Sequence, residues 1–334
     1  MTAPAQQIIE LYHQTVDRSL RQSPFPADTT EAFAAWQRRS RSRVRRILGE
    51  LPRTRIPLAI EREIVEEHPD YVRERLVYWT RPGLQATAYL LTPRGLKRPV
   101  PAVLCVHGHG QGGKEEAIDP GSIYRGFGRR FAEAGLVALC PDQIGFGERA
   151  LPEDKVTYQV LVHGLNLLGH TLIGWRYWDL VRALDLLQGL PQVRADRVGV
   201  MGLSLGGEMT LFLSGLQTRV RAACVCGYLT SHRSTFLDRP HCTCGHLRDL
   251  ARHFEHLDLA ALIAPRPLFL DAGRQDESFP FAEAEELVRR LRPVYRLHGR
   301  PRTHLGIEVH DGGHEIAGER SVPWMAARLR EGGD

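Results

Sequence analysis

Lysine is almost missing from this chain of 334 residues. Lys97, Lys114 and Lys155 are the only ones, so arginine carries the net charge of +5. Those arginines are dispersed, except in Arg38-Arg39-Ser40-Arg41-Ser42-Arg43-Val44-Arg45-Arg46. There Trp36, Val44, Ile47 and Leu48 interleave with the charges as the single buried stripe of a helix would. The pattern predicts a solvated or inter-segment salt-bridging helix, not a nucleic-acid or membrane patch. Long apolar runs are also absent. A membrane helix needs about 20 such residues, and glycine, proline or charge breaks every run within a few positions. Met1-Thr2-Ala3-Pro4-Ala5-Gln6-Gln7 has neither a basic start nor an apolar stretch of signal-peptide length, so a cytoplasmic location is the expectation. Cysteine is sparse: Cys105, Cys140, Cys224 and Cys226 fall in apolar strand-like runs and read as small buried hydrophobes, not a disulfide framework. The chain has no internal repeat and no low-complexity tract.

What is present is an apolar fraction of 43%, ample for one large core. Residues 6–20 and 30–48 are expected as two amphipathic helices, separated at Ser23-Pro24-Phe25-Pro26, in a helical N-terminal extension over residues 1–70. Strands are expected at 75–79 and 86–91, a hairpin turning at Pro82-Gly83. From there strand 102–106, helix 123–134, strand 137–140 and helix 174–187 alternate. Such alternation means a mostly parallel, doubly wound α/β sheet with helices on both faces, assigned to residues 71–334.

Within this domain, Val198-Gly199-Val200-Met201-Gly202-Leu203-Ser204-Leu205-Gly206-Gly207 is a β-branched strand that breaks into G-x-S-x-G. It then enters the helix-forming stretch 208–216. That is the layout of a nucleophile elbow: glycines at 202 and 206 leave room for a strained turn that exposes the Ser204 hydroxyl at a helix N-terminus. Without its flanking strand and helix the motif is weak, and the competing reading is a glycine-rich turn with an idle serine.

A nucleophilic serine needs a base and an acid, which follow it in the order serine, acid, histidine in this architecture. Pro267-Leu268-Phe269-Leu270-Asp271-Ala272-Gly273 reads as a strand, and Asp276 in the loop after it is the candidate acid. Asp271, still on the strand, is expected to close the turn through backbone N–H groups. After the strand-like Leu305-Gly306-Ile307-Glu308-Val309-His310, the loop Asp311-Gly312-Gly313-His314-Glu315 offers His314 as general base. His310 reads as a packed or surface histidine. Oxyanion stabilisation is assigned to the backbone N–H groups of Leu205 and of His109, in the loop His107-Gly108-His109-Gly110-Gln111-Gly112-Gly113. That loop lacks the lysine and hydroxyl of a P-loop and the glycine spacing of a dinucleotide fingerprint.

Together these segments resemble the α/β-hydrolase superfamily, and within it the acetyl-xylan-esterase-like and dienelactone-hydrolase-like branch. The resemblance rests on His107-Gly108-His109-Gly110, Pro141-Asp142-Gln143-Ile144-Gly145-Phe146-Gly147-Glu148-Arg149, the elbow, Ala264-Pro265-Arg266-Pro267 and Gly312-Gly313-His314, and runs from about Leu76 onward. It implies an α/β-hydrolase fold and a Ser204–His314–Asp276 acyl-enzyme mechanism on carboxylic esters, without a cofactor. A short-acyl ester of a polar or sugar-like alcohol is the expected substrate. The alternatives are a serine peptidase or amidase of prolyl-oligopeptidase type and a metal-dependent or non-catalytic protein of the same fold.

Insertions at 150–173 and 228–259 are expected to wall the pocket. Candidate substrate contacts are His107, Arg149 and Trp175. For Trp175 and Trp178 the competing reading is core packing, with Asp179 and Arg182 solvated. The second insertion contains His241-Cys242-Thr243-Cys244-Gly245-His246, close to His232, His253 and His256. Its C-x-C spacing is tighter than the structural C-x-x-C of zinc sites, so a histidine-rich wall without metal is the expectation. The expected partner is a small-molecule ester, with no nucleic acid and no membrane; a homo-oligomer is compatible with the sequence.

Overall fold

The computed structural model describes residues 3–20, 24–26, 28–152 and 156–331. Ser23, of the expected interhelical break, and residues 153–155 of the first insertion lie outside them. Two helices, α1 (Ala3–Ser19) and α2 (Thr30–Ile47), precede a nine-stranded sheet. Its strands are β1 (Glu61–Glu67), β2 (Tyr71–Arg81), β3 (Leu84–Pro93), β4 (Val100–Val106), β5 (Val137–Pro141), β6 (Val193–Leu203), β7 (Ala222–Cys226), β8 (Leu268–Gly273) and β9 (Leu305–His310), in spatial order β1-β2-β3-β5-β4-β6-β7-β8-β9. The first three run antiparallel and β3 meets β5 antiparallel; β5, β4, β6, β7, β8 and β9 are parallel. The sequence pattern misses β1. Its residues, Glu-Arg-Glu-Ile-Val-Glu-Glu, are almost all exposed at the sheet edge, where no core imposes an apolar alternation.

The remaining helices are α3 (Phe127–Glu133), α4 (Tyr158–Leu167), α5 (Leu172–Gly189), α6 (Leu205–Leu216), α7 (Leu250–His253), α8 (His256–Ala261), α9 (Phe281–Leu297) and α10 (Ser321–Arg330). No helix among the described residues is long and apolar enough to cross a membrane. The period-two pattern of the strands divides the core. Leu104, Val106, Val198 and Val200 point into the layer of α5, α6, α8 and α9, whereas Val103, Cys105 and Met201 pack with Phe127, Phe131, Met325 and Leu329 of α3 and α10. Parallel strands covered on both faces are apolar throughout, as β4 and β6 are over their central residues.

The arginine-rich helix α2 is a structural part of this core. Phe33, Trp36, Gln37, Ser40 and Val44 form its buried stripe. Arg41 donates to the carbonyls of Gly215 and Leu262, and Arg45 donates to that of Leu216. These are the unsatisfied carbonyls at the ends of α6 and α8, where cations also complement the helix dipole. Arg41 and Arg45 therefore dock on carbonyls, while Arg38, Arg39 and Arg46 lie on the exposed face that the sequence led one to expect. Asp179 and Arg182 of α5, expected in solvent, are buried instead: Asp179 accepts from Arg149 at 2.8 Å and Arg182 donates to Asp185 at 2.8 Å.

Candidate active site

The turn after β6 is as tight as its glycines suggest. Ser204 has φ 61° and ψ −125°, a left-handed conformation that costs a non-glycine residue of order 1–3 kcal/mol and persists only where its surroundings fix it. A Cβ on Gly202 would lie 2.5 Å from the carbonyl oxygens of Val106 and Gly206, and one on Gly206 would lie 2.0 Å from Val106 O. The backbone N–H of Ser204 donates to the Cys226 carbonyl at 3.0 Å, tying the elbow to the end of β7. Leu205 is the first residue of α6, so its N–H has no acceptor within the helix.

Sheet register brings the other two residues to the same edge. Leu203 is level with Cys226, Cys226 with Asp271, and Gly273 with His310. The loop after β9 then folds back against the end of β8. Gln275 N–H donates to Gly312 O at 3.0 Å, and a Cβ on Gly273 would strike Gly313 O at 2.0 Å. His314 Nδ1 is 2.7 Å from Asp276 Oδ2, and the second carboxylate oxygen accepts from the N–H groups of Ser278 (2.8 Å) and Phe279 (3.0 Å). The imidazole stacks on Phe279 with ring centres 5.4 Å apart and lies over Gly227, where a Cβ would come within 3.1 Å of its Cε1. Gly227 directly follows the carbonyl that holds Ser204. His314 therefore sits beside the elbow with one nitrogen fixed by carboxylate.

Asp271 and His310 form a separate pair 3.3 Å apart. The other Asp271 oxygen accepts from Gly318 N–H (3.2 Å) and Ser321 Oγ (2.8 Å), and the neighbouring Asp271 carboxylate holds the imidazole of His310 above its usual pKa.

The loop after β4 runs against the elbow. A Cβ on Gly108 would lie 3.0 Å from the Cβ of Ser204, and its N–H is taken by the Tyr124 hydroxyl at 2.7 Å. The amide of His109 comes next. Residues 141–149 hold this loop from behind. Asp142 accepts from Lys114 N (2.7 Å), Lys114 Nζ (2.8 Å) and Thr87 Oγ1 (2.7 Å), and a Cβ on Gly113 or Gly147 would strike its Oδ1 at 2.2 Å.

Residues 11–308 match the Abhydrolase family. The chain belongs to that family. A relative from Bacillus subtilis (strain 168) named "Putative hydrolase YtaP" is 29% identical over 287 residues, which cover 83% of this chain and 94% of the relative. Among solved structures, a "putative acetyl xylan esterase" from Bacteroides fragilis NCTC 9343 superposes with a TM-score of 0.80 at 21% identity, covering 95% of this chain and 94% of the other. A glucuronoyl esterase from Solibacter usitatus gives 0.69 at 17% identity, with 94% and 97% covered. Acetyl xylan esterase 1 from Thermoanaerobacterium sp. JW/SL YS485 gives 0.58 at 19%, with 95% and 98% covered. At these identities the likeness to the structures is one of fold, and it agrees with the α/β-hydrolase, acetyl-xylan-esterase-like resemblance of the sequence.

Two expected substrate contacts of this Abhydrolase family member are committed elsewhere. His107 is fully buried. Its Nδ1 donates to Gly108 O at 2.8 Å and its Nε2 accepts from Gln143 N–H at 3.0 Å, while burial pushes its pKa down to about 4. It is a neutral strut between two loops. Arg149 donates to Asp142 O (3.1 Å) and Asp179 (2.8 Å), with only 8% of its side chain exposed. Trp175 is half-buried between Arg81 and His170. What walls the cleft instead is aromatic. Phe146 meets the rings of His109 (5.7 Å) and Tyr158 (5.9 Å), and the second insertion brings His241 to Phe279 (5.7 Å) and Phe236 to His241 (5.0 Å). Tyr124, Phe146 and Phe279 carry no local sequence signal for these roles, because their partners come from distant segments. A cavity of about 850 Å³ lies between the second insertion and α2, lined by Arg43, Arg46, His170 and His246 among others, and includes neither Ser204 nor His314.

Proposed function

We propose that this chain is a serine hydrolase of carboxylic esters, acting through a covalent acyl-enzyme on Ser204, His314 and Asp276. The observation that carries the reading is the His314–Asp276 hydrogen bond of 2.7 Å beside a serine at φ 61° on a strand-to-helix turn. Asp276 fixes the tautomer with the proton on Nδ1, which leaves Nε2 as the base. Ser204 Oγ attacks the ester carbonyl and gives its proton to Nε2. The tetrahedral oxyanion is held by the N–H groups of Leu205 and His109 at the positive end of α6. Collapse breaks the bond to the alcohol, which leaves with the proton from His314. Water, activated by the same imidazole, then releases the acid.

Short acyl groups attached to a polar alcohol suit the surroundings. Leu203 and Leu205 are buried beside the serine, Phe146 and Phe279 close the flanks, and His241 supplies a hydrogen-bonding edge. The fold likeness to acetyl xylan and glucuronoyl esterases supports a carbohydrate-linked ester. The test is kcat/KM over an acyl series from acetyl to octanoyl on one alcohol, then over acetylated sugars against aryl acetates. Acetyl esters are expected to be fastest, and Ser204→Ala should lose on the order of a million-fold in kcat. Activity of the alanine variant within tenfold of the parent overturns the serine mechanism, and an optimum at octanoyl overturns the short-acyl assignment.

A further inference from the structure

Cys242 and Cys244 of the second insertion take no part in the proposed esterase chemistry, and their geometry is specific. Cys242 Sγ lies 3.1 Å from Cys244 Sγ, and Cys244 Sγ lies 3.3 Å from Nε2 of His109. All three donor atoms fall within 4.8 Å of one another. The spacing C-x-C, tighter than the common C-x-x-C, is no obstacle here. The 3₁₀ turn Thr243–Gly245 brings both thiols to the same point. The third donor comes from the loop after β4, 135 positions away in the chain.

We propose that His109, Cys242 and Cys244 form a binding site for a single zinc-type divalent ion that clasps the second insertion to the loop after β4. Two thiolates and one imidazole are a soft to borderline donor set, which selects zinc over magnesium or calcium. With Zn–S bonds of about 2.3 Å at tetrahedral angles, two sulfurs stand about 3.8 Å apart. The observed 3.1 Å therefore needs to widen by only about 0.7 Å, a small rotation of two side chains. Three protein donors leave one coordination position for water.

The surroundings fit an ion. His109 is exposed, Cys242 half-buried and Cys244 buried, which gives an entry path and a closed floor. Arg176 and Tyr158, hydrogen-bonded to each other at 2.6 Å, both interact with Cys244. Glu208 is buried beside Gly245, and its Oε1 has no hydrogen-bond partner. Two thiolates balance the charge of one divalent ion, so the filled site adds no net charge beside the buried Arg176. The other group of possible ligands among the described residues, His68, Asp70 and Glu133, has two exposed carboxylates and no thiolate.

The test uses the full chain, stripped with chelator and reduced, with thiols counted before titration. Cobalt(II) should bind at one equivalent and give thiolate-to-cobalt charge-transfer absorption in the near ultraviolet, and zinc should displace it. Zinc should also raise the thermal midpoint of the parent. Cys242→Ser and Cys244→Ser should each weaken binding at least a hundredfold and reduce the charge-transfer intensity per bound cobalt, and His109→Ala should weaken binding at least tenfold. Cys224→Ser, which removes a buried thiol in β7 away from the cluster, should leave the titration unchanged. Circular dichroism checks that each variant is folded. Failure of reduced parent protein to give the charge-transfer band overturns the proposal, as does undiminished binding in both cysteine variants. These readouts stand whether or not the chain hydrolyses esters.

Discussion

His314 and Asp276 are 2.7 Å apart, whereas Asp271, only five positions before Asp276, faces His310, Gly318 and Ser321. One residue ends the charge-bearing loop beside the elbow and the other braces the segment leading into α10. Asp276→Asn should reduce kcat for ester hydrolysis by very roughly ten-thousand-fold, because an amide no longer fixes the imidazole tautomer, with little change in thermal midpoint. Asp271→Asn should lower the midpoint and leave kcat within a few fold. Steady-state kinetics beside thermal unfolding separate the two; the reverse pattern would exchange the roles of the acids.

The elbow gives a steric prediction. An alanine methyl at 206 would lie 2.0 Å from the Val106 carbonyl oxygen, which belongs to a central strand and has nowhere to move. Gly206→Ala should therefore destabilise the fold as well as suppress turnover. Gly83→Ala, where a Cβ has open space but φ is +76°, should cost only a turn-strain penalty of about 1 kcal/mol. Comparing the two by denaturant unfolding isolates the clash from the loss of glycine.

His107 links the same region to pH. Burial holds its imidazole neutral, with the pKa pushed down to about 4, below the value of about 6.5 for an exposed imidazole. The unfolded chain therefore takes up this proton more readily than the folded one. The stability this asymmetry supplies is fully present above about pH 6.5 and is lost as pH falls toward 4. In His107→Gln the thermal midpoint should be lower at pH 7 but should decline less steeply between pH 6.5 and 4. Equal slopes in parent and variant would remove His107 from the acid response.

Lys114 and Asp142 are both buried and joined at 2.8 Å, with Glu148 drawn into the same cluster. Hydrogen bonds from Arg75 and then Lys114 hold the Glu148 carboxyl down at about 2. Removing the ammonium leaves Asp142 buried without its ion partner, a change that typically costs about 3–5 kcal/mol. Lys114→Met should show a loss of that order in chemical denaturation. Arg129→Met, which removes an exposed i,i+4 partner of Glu133, should cost less than about 0.5 kcal/mol.

Some of this protein is written in short stretches of sequence, and some in none. The elbow is legible because its constraint is local: Gly202, Ser204 and Gly206 sit within one turn, and the strand before and helix after follow from residues next to them. The central strands are legible for a related reason, since burial on both faces leaves Ala102 to Val106 and Val198 to Leu203 almost wholly apolar. Chain order after the serine, together with their places in loops just beyond two strand-like runs, put Asp276 and His314 forward over Asp271 and His310.

Other features depend on which distant segments meet. The edge strand β1 has no core to pattern it. Arg41 and Arg45 of α2 look like part of the solvated face until α6 and α8 bring carbonyls to them. Arg149 and His107 have the composition of binding residues, but Asp179, Gln143 and the Gly108 carbonyl occupy their hydrogen-bonding groups inside the fold. The same limit applies to His109 and Cys244. Each sits in a recognisable motif, yet their approach to 3.3 Å is decided by the parallel sheet, which sets the loop after β4 beside an insertion that follows β7. Local sterics and periodicity are encoded within a few residues, whereas the pairing of buried polar groups is fixed only when packing excludes water and leaves each donor one acceptor within reach.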